Sequence, residues 1–216
     1  MPTPARSNAL TRRRLLAALI ALVVLLGAWA VAVQQPVPGW ELDLTEDINR
    51  APDLVATLLW PVMQLGSLWG PLIVGVFALV AFGPRRGLVV FVSGALAWII
   101  AKEVKSIVER GRPAQYLPGV DVREGKGEGL GFVSGHSAVA FALATALMPA
   151  LPRWGKVVAA LAATLVAVSR IVVGVHLPAD VVGGAALGVL VALAVDAAAE
   201  LVVRARRRPR DSVRSR

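Results

Sequence analysis

The strongest constraint on this chain is a series of long apolar segments, the first of which covers residues 15–33. An α-helix needs about 20 apolar residues to cross the hydrocarbon core of a bilayer, which is about 30 Å thick. The chain is 56% hydrophobic with a mean hydropathy of +0.68, which is far more apolar than a soluble domain. We therefore expect an all-α integral membrane protein.

Six segments are apolar enough to be predicted as transmembrane helices. They cover residues 15–33, 68–82, 87–104, 137–151, 157–173 and 181–203. Residues 34–53 are rich in proline and acidic side chains and are predicted as a polar loop. The apolar residues that follow, interrupted by Pro61, are predicted as an interfacial helix. This organisation predicts a six-helix domain over residues 15–203, between a basic N-terminus (1–14) and a basic tail (204–216).

The first segment has two interpretations. The sequence R-R-R-L-L at 12–16 resembles a twin-arginine signal and A-W-A at 28–30 resembles a cleavage site, as in a removable signal peptide. The apolar run is longer than most signal-peptide cores, so we favour a retained membrane anchor.

The charge distribution predicts an orientation in the membrane. The chain has 23 Lys and Arg against 14 Asp and Glu, a formal net charge of +9. If six spans alternate, fifteen of the 23 basic residues lie on the side of the two termini, and the positive-inside rule makes that side cytoplasmic. We therefore expect a multi-pass protein of the cell (inner or plasma) membrane whose basic tail contacts anionic lipids, with no nucleic acid as a partner.

This topology brings three charged segments, residues 105–113, 133–136 and 169–180, to the extracytoplasmic face. They carry the side chains Lys105, Arg112, Ser134, His136, Arg170, His176 and Asp180. The two histidines are the only ones in the chain, which has no cysteine. Three cations beside two histidines predict a site for a multiply charged anion, and phosphate suits the guanidinium fork. The S-G-H segment begins a helix whose N–H groups point toward such an anion.

The remaining groups suit phosphoryl transfer. His176 and Asp180 are four residues apart, with Pro178 suited to a first helical turn, so the carboxylate can orient one ring nitrogen and leave the other as a nucleophile. His136 lies on a different helix and can protonate the leaving oxygen. A helix N-terminus disfavours a protonated His136 whereas a phosphate dianion favours it, and the sequence leaves that balance open.

These segments resemble the signature motifs of a known family. K-S-I-V-E-R-G-R-P, S-G-H and S-R-I-V-V-G-V-H-L-P-A-D are similar to the three motifs of the type 2 phosphatidic acid phosphatase (lipid phosphate phosphatase) superfamily, in the family's order and in the manner of its bacterial membrane-bound members. The resemblance implies six membrane helices and metal-independent hydrolysis of lipid phosphates, with no cofactor. It also implies residue roles. Phosphate would be bound by Lys105, Arg112, Ser134, Gly135 and Arg170, and the catalytic residues would be His136 (acid), His176 (nucleophile) and Asp180 (partner of His176).

Two features nearby are less specific. Val133 stands where the family usually has a proline, which weakens the expectation for the loop geometry but removes no catalytic group. The loop G-K-G-E-G-L-G at 125–131 lacks the spacing of nucleotide-binding motifs, and we interpret it as a rim beside the pocket, with Lys126 as an extra phosphate contact.

Structural interpretations exist for single residues. Lys105 can pair with Glu109 at a helix end, and Asp196 and Glu200 suit helix-end pairing, Glu200 with Arg204. The joint arrangement of both histidines, three cations and Asp180 favours a site. The scattered remaining acids predict no metal site.

The sequence therefore predicts a membrane phosphatase that acts on a lipid phosphate or diphosphate through a phosphohistidine. A polyprenyl diphosphate is the first choice of substrate, and a phosphoglycerolipid such as phosphatidate or phosphatidylglycerol phosphate is the second. Three alternatives stay open at this point: a lipid phosphotransferase that uses the same phosphohistidine, a non-enzymatic membrane protein or transporter, and a vanadium haloperoxidase, which the membrane spans disfavour.

Overall fold

A computed structural model of the protein describes residues 4–125 and 127–211, with side-chain positions for residues 12–125 and 127–205. Eight α-helices lie within these residues. They are α1 (Pro4–Ala32), α2 (Gly39–Asn49), α3 (Asp53–Met63), α4 (Gly70–Phe82), α5 (Pro84–Val108), α6 (Gly135–Leu147), α7 (Arg153–Val172) and α8 (Pro178–Asp211). Short 3-10 turns follow α3 and precede the long loop before α6. The described residues form no β-strand, so the all-α prediction is confirmed for them.

Within the described part of the chain, four helices are long and apolar enough to cross a membrane: α1, α5, α7 and α8. The pair α3 and α4 passes the same test together but is bent by 69° across the break at residues 67–69, which makes a fifth candidate. Helix α6 is apolar but has only 13 residues. The protein is therefore a multi-pass membrane protein, and a sixth span through α6 stays a prediction.

The structure corrects one predicted segment. Residues 34–53 are not only a polar loop, because they contain α2, whose side chains Glu41 and Thr45 are fully buried. Helices α1 and α8 continue across the predicted domain borders at 14/15 and 203/204, and the domain division stays a prediction. Lys126 and the last residues of the basic tail, 212–216, lie outside the described residues.

The buried helix α6 packs along α8 through glycines. A side chain at Gly188 would come within 2.2 Å of the carbonyl oxygen of Ala138, and one at Gly184 within 2.4 Å of that of Ser134. Small residues let two helix backbones approach closely in a membrane. This close packing holds the first turns of α6 and α8 side by side.

The opposite end of the bundle is joined by ion pairs. Asp196 on α8 accepts from Arg14 on α1 (2.8 Å) and from Arg86 on α5 (3.0 Å), and Glu200 accepts from Arg14 (2.6 Å). Glu200 also lies 3.9 Å from Arg204, the helix-end partner expected from the sequence. Asp196 therefore connects α8 to both α1 and α5.

Candidate active site

Three chain segments meet at the end of the bundle away from Asp196. They are the end of α5 with the residues that follow it, the start of α6, and the turn between α7 and α8. These are the three segments singled out in the sequence. Both histidines lie close enough to Lys105, Arg112 and Arg170 to interact electrostatically with all three cations.

The turn between α7 and α8 places His176. Gly174 adopts a left-handed conformation (φ 73°), and a side chain there would come within 2.4 Å of the Asp121 carbonyl oxygen, so the position requires glycine. The backbone N–H of His176 then donates to the carbonyl oxygen of Arg170 (3.2 Å). This bond ties the histidine to the last turn of α7.

Asp180 faces His176 from the first turn of α8. Its Oδ2 lies 3.3 Å from His176 Nδ1 and accepts from the backbone N–H of Leu177 at 3.0 Å. The side chain of Asp180 is fully buried and that of His176 is 4% exposed. Because Nδ1 faces the carboxylate, Nε2 is the ring nitrogen that is left for chemistry.

Two further charged residues complete this cluster, and sequence reasoning missed both. Arg110 Nη1 donates to Asp180 Oδ1 (3.1 Å), and Arg110 Nη2 pairs with Glu41. Glu41 Oε1 also accepts from the backbone N–H of Ala179 (2.8 Å). Arg110 lies two residues before Arg112 in the first motif, and Glu41 lies within residues 34–53, which the sequence predicts as a polar loop. Nothing in the spacing of Glu41 relates it to the motifs.

Lys105 anchors the glycine-rich loop. Its Nζ donates to the carbonyl oxygens of Leu130 (3.0 Å) and Gly131 (2.7 Å) instead of pairing with Glu109. Helix α5 ends at Val108, with Glu109 in the left-handed conformation. The helix therefore does not persist to Arg112, whose backbone is extended.

Arg170 is paired with a carboxylate from the same loop. Its Nη1 donates to Glu124, a residue that the sequence interpretation did not select. The Nε–H groups of Arg112 and Arg170, like that of Arg110, are buried and have no hydrogen-bond partner among the described residues. Buried donors are nearly always satisfied in folded proteins, so unpartnered ones mark a place for an acceptor such as phosphate.

Ser134 and His136 lie at the start of α6. Ser134 is the N-cap, and its hydroxyl accepts from Ser137 N at the long distance of 3.5 Å. The backbone N–H of Ser134 donates to the carbonyl oxygen of Asp180 (2.8 Å). A side chain at Gly66 would come within 2.6 Å of the His136 carbonyl oxygen, so the turn between α3 and α4 closely supports this helix start.

Burial lowers the pKa of His176 well below its ordinary value, and the nearby charges of Lys105, Arg170 and Arg112 lower it further. The imidazole is therefore neutral at physiological pH, which is the form that can act as a nucleophile. Within residues 4–125 and 127–211, no group of three or more His, Cys, Asp or Glu side chains is placed to hold a metal ion.

The family model of the PAP2 superfamily matches residues 86–202, more than half of the chain. The chain belongs to the PAP2 superfamily. The matched residues include both histidines, the three predicted phosphate-binding cations and Asp180, whereas Glu41 lies outside them.

A curated relative is the undecaprenyl-diphosphatase of Sulfolobus acidocaldarius, which is 29% identical over 104 residues. The match covers 48% of this chain and 50% of the relative, so the chain spans about half of the relative's length.

Two solved structures have a similar fold. One is a transmembrane PAP2-type phosphatidylglycerolphosphate phosphatase from Bacillus subtilis, with a TM-score of 0.71 and 21% identity over 86% of this chain and 96% of that one. The other is LpxE from Aquifex aeolicus, with a TM-score of 0.66 and 26% identity over 71% and 93%. The Bacillus match shows the fold alone.

Proposed function

We propose that this protein is a lipid phosphatase that hydrolyses a lipid phosphate or diphosphate through a phosphohistidine on His176, without a metal ion. The observation that carries the proposal is the buried His176, whose Nδ1 lies 3.3 Å from Asp180 Oδ2 and whose pKa is lowered by burial and by the charges of three cations. The unpartnered Nε–H donors of Arg112 and Arg170 supply the anion site.

The chemistry runs in two steps. His176 Nε2 attacks phosphorus while the bond from phosphorus to the leaving oxygen breaks, and His136 donates a proton to that oxygen. Water then attacks the phosphorus of the phosphohistidine, and His136 accepts a proton from that water. The bond from phosphorus to His176 Nε2 breaks, which releases phosphate and restores both histidines. The cations Lys105, Arg112 and Arg170, with Ser134 and the N–H of Gly135, stabilise the charge on the transferred group.

The proposed substrate is a polyprenyl diphosphate, with phosphatidate or phosphatidylglycerol phosphate as the second choice. The first is supported by the Sulfolobus relative, which is an undecaprenyl-diphosphatase. A site at the ends of membrane helices suits a lipid whose tail stays in the bilayer.

The proposed topology has six membrane passes within a single domain over residues 15–203, counting α6 and the bent pair α3 and α4. Both termini and the basic tail are cytoplasmic, and the active site is extracytoplasmic. This arrangement is supported by the excess of basic residues at the end of the bundle that holds Arg14, Arg86 and Arg204.

The test is phosphate release by the purified full chain in detergent, from a panel of lipid phosphates and diphosphates, with and without EDTA. We expect release by the wild type in EDTA and a loss of at least a thousandfold in His176→Ala, because the nucleophile is gone. His176→Ala activity equal to wild type would refute the role of His176. Transfer of labelled phosphate to an added alcohol in place of water would favour the phosphotransferase alternative.

A further inference from the structure

Asp180 is joined to the interior of the protein by a continuous chain of buried charges. Arg110 donates to Asp180 Oδ1 with one nitrogen and to Glu41 with the other, and the side chains of all three residues are 0% exposed. Glu41 comes from α2, which lies outside the three motif segments and outside the residues matched by the family model. Three different parts of the chain thus contribute one ion cluster.

Burying three charges is costly, because each loses its hydration, and apolar side chains of similar volume often replace such clusters without loss of stability. Stability alone therefore does not account for Glu41 and Arg110. Their geometry relates them to the reacting histidine: Oδ2 of Asp180 faces His176, while Oδ1 is held by Arg110. The carboxylate is consequently fixed at both oxygens.

Glu41 acts at two points of the same unit. It pairs with Arg110, and its Oε1 accepts the backbone N–H of Ala179, the residue before Asp180. Glu41 therefore holds the guanidinium of Arg110, which is hydrogen-bonded to Asp180, and also the helical turn on which Asp180 lies. The negative charge of Glu41 also offsets the positive charge of Arg110, so that the negative charge of Asp180 can still act on the imidazole.

We infer that Glu41 and Arg110 are positioning residues that hold and electrostatically tune Asp180 for the attack by His176. This inference rests on the proposed phosphohistidine chemistry. As Nε2 bonds to phosphorus, the imidazole ring becomes positively charged, and the negative charge of Asp180 stabilises it. Without Glu41, the positive charge of Arg110 would neutralise much of the charge of Asp180 and weaken that stabilisation. Loss of the Glu41 charge therefore slows the chemical step and leaves phosphate binding unchanged.

The experiment compares Glu41→Gln with Glu46→Gln in the purified full chain, using phosphate release from a lipid phosphate as the readout. Gln retains an oxygen for the Ala179 N–H, and Glu46 lies on the same helix but in an exposed pair with Arg50. We expect Glu41→Gln to lower kcat at least about tenfold at unchanged KM, and Glu46→Gln to match the wild type.

A double-mutant cycle separates positioning from a structural role. If Glu41 acts through Asp180, Glu41→Gln adds no further loss of kcat in an Asp180→Asn background, whereas an independent effect would multiply. The double variant Glu41→Met/Arg110→Met removes the charges together and is expected to fold, with wild-type KM and reduced kcat.

Each outcome decides the inference. An active wild type with equally active Glu41→Gln, a change in KM alone, a multiplying loss in the Asp180→Asn background, or full kcat in the double Met variant overturns it and leaves the proposed function standing. No phosphate release by the wild type from any lipid overturns the proposed function and this inference with it.

Discussion

At His176, burial and neighbouring charges both lower the pKa of the imidazole. Its ring is enclosed, its Nδ1 faces Asp180, and three cations surround it. The sequence predicted the pair because a spacing of four residues at a helix start brings both side chains to one side. It did not predict Arg110, because a buried arginine between two motif residues looks the same in sequence as an exposed spacer.

The state of His176 predicts how stability depends on pH. Its pKa in the folded protein is far below the ordinary value, so the native ring stays neutral while the unfolded chain takes up a proton below pH 6.5 or so. The contribution is fully present above that pH and is lost as the pH falls toward the folded pKa, by up to about 1.4 kcal/mol per pH unit.

We therefore expect the Tm in detergent to fall between pH 7 and pH 5, and to fall less steeply in His176→Gln. The slope is compared, since the substitution changes the Tm itself. Identical slopes in the two proteins would contradict a neutral buried His176.

At the scale of elements, the glycine-rich loop before α6 is part of the site. Lys105 holds its carbonyl oxygens at Leu130 and Gly131, and its Glu124 pairs with Arg170. The sequence predicts a rim at residues 125–131, and nothing in it singles out Glu124, the residue just before that segment. A contact between residues 46 positions apart has no periodic signal, so only the folded chain reveals it.

Glu124 pairs with the guanidinium of Arg170, which in the proposed function binds phosphate. Removing its charge frees Arg170 for the substrate, so we expect Glu124→Gln to lower KM about threefold to tenfold with kcat unchanged. The measurement is phosphate release against the mole fraction of lipid phosphate in mixed micelles.

The matched control is Glu128→Gln, an exposed carboxylate in the same loop. A raised KM in Glu124→Gln would contradict this prediction. It would mean that Glu124 orients Arg170 for the substrate and does not compete with the substrate phosphate for Arg170.

At the scale of the whole molecule, the bundle has two chemically different ends. One end carries the candidate site, and the other is joined by the pairs of Asp196 with Arg14 and Arg86. Helix α1 belongs to this bundle, because Ala28 and Ala32 are buried. The Trp29 ring is edge-on to the Phe132 ring, with the ring centroids 6.4 Å apart. This packing favours the retained anchor over a removable signal peptide.

The proposed orientation can be tested because the chain has no cysteine. We expect a membrane-impermeant maleimide to label Gly119→Cys in intact cells, since Gly119 is exposed in the loop beside the site. Lys156→Cys, exposed at the start of α7, is expected to react only after the membrane is permeabilised. The reverse labelling pattern would invert the topology.

The sequence by itself determined the class of protein and predicted most of the candidate site. Long apolar segments must form helices in a bilayer, because every backbone polar group there needs an internal hydrogen bond. The motif residues can be recognised in the sequence because ionisable side chains next to membrane segments are costly and usually functional. Lys105, His136, Arg170 and Asp180 are therefore predicted from the sequence alone.

Only the tertiary structure decided which charges meet. The burial of Glu41, its pairing with Arg110, and the contact of Glu124 with Arg170 join residues that are far apart along the chain. Local patterns carry information about neighbours within a helical turn, whereas these pairs depend on how whole helices pack. The close approach of α6 and α8 at Gly184 and Gly188 sets that packing and thereby the geometry of the site.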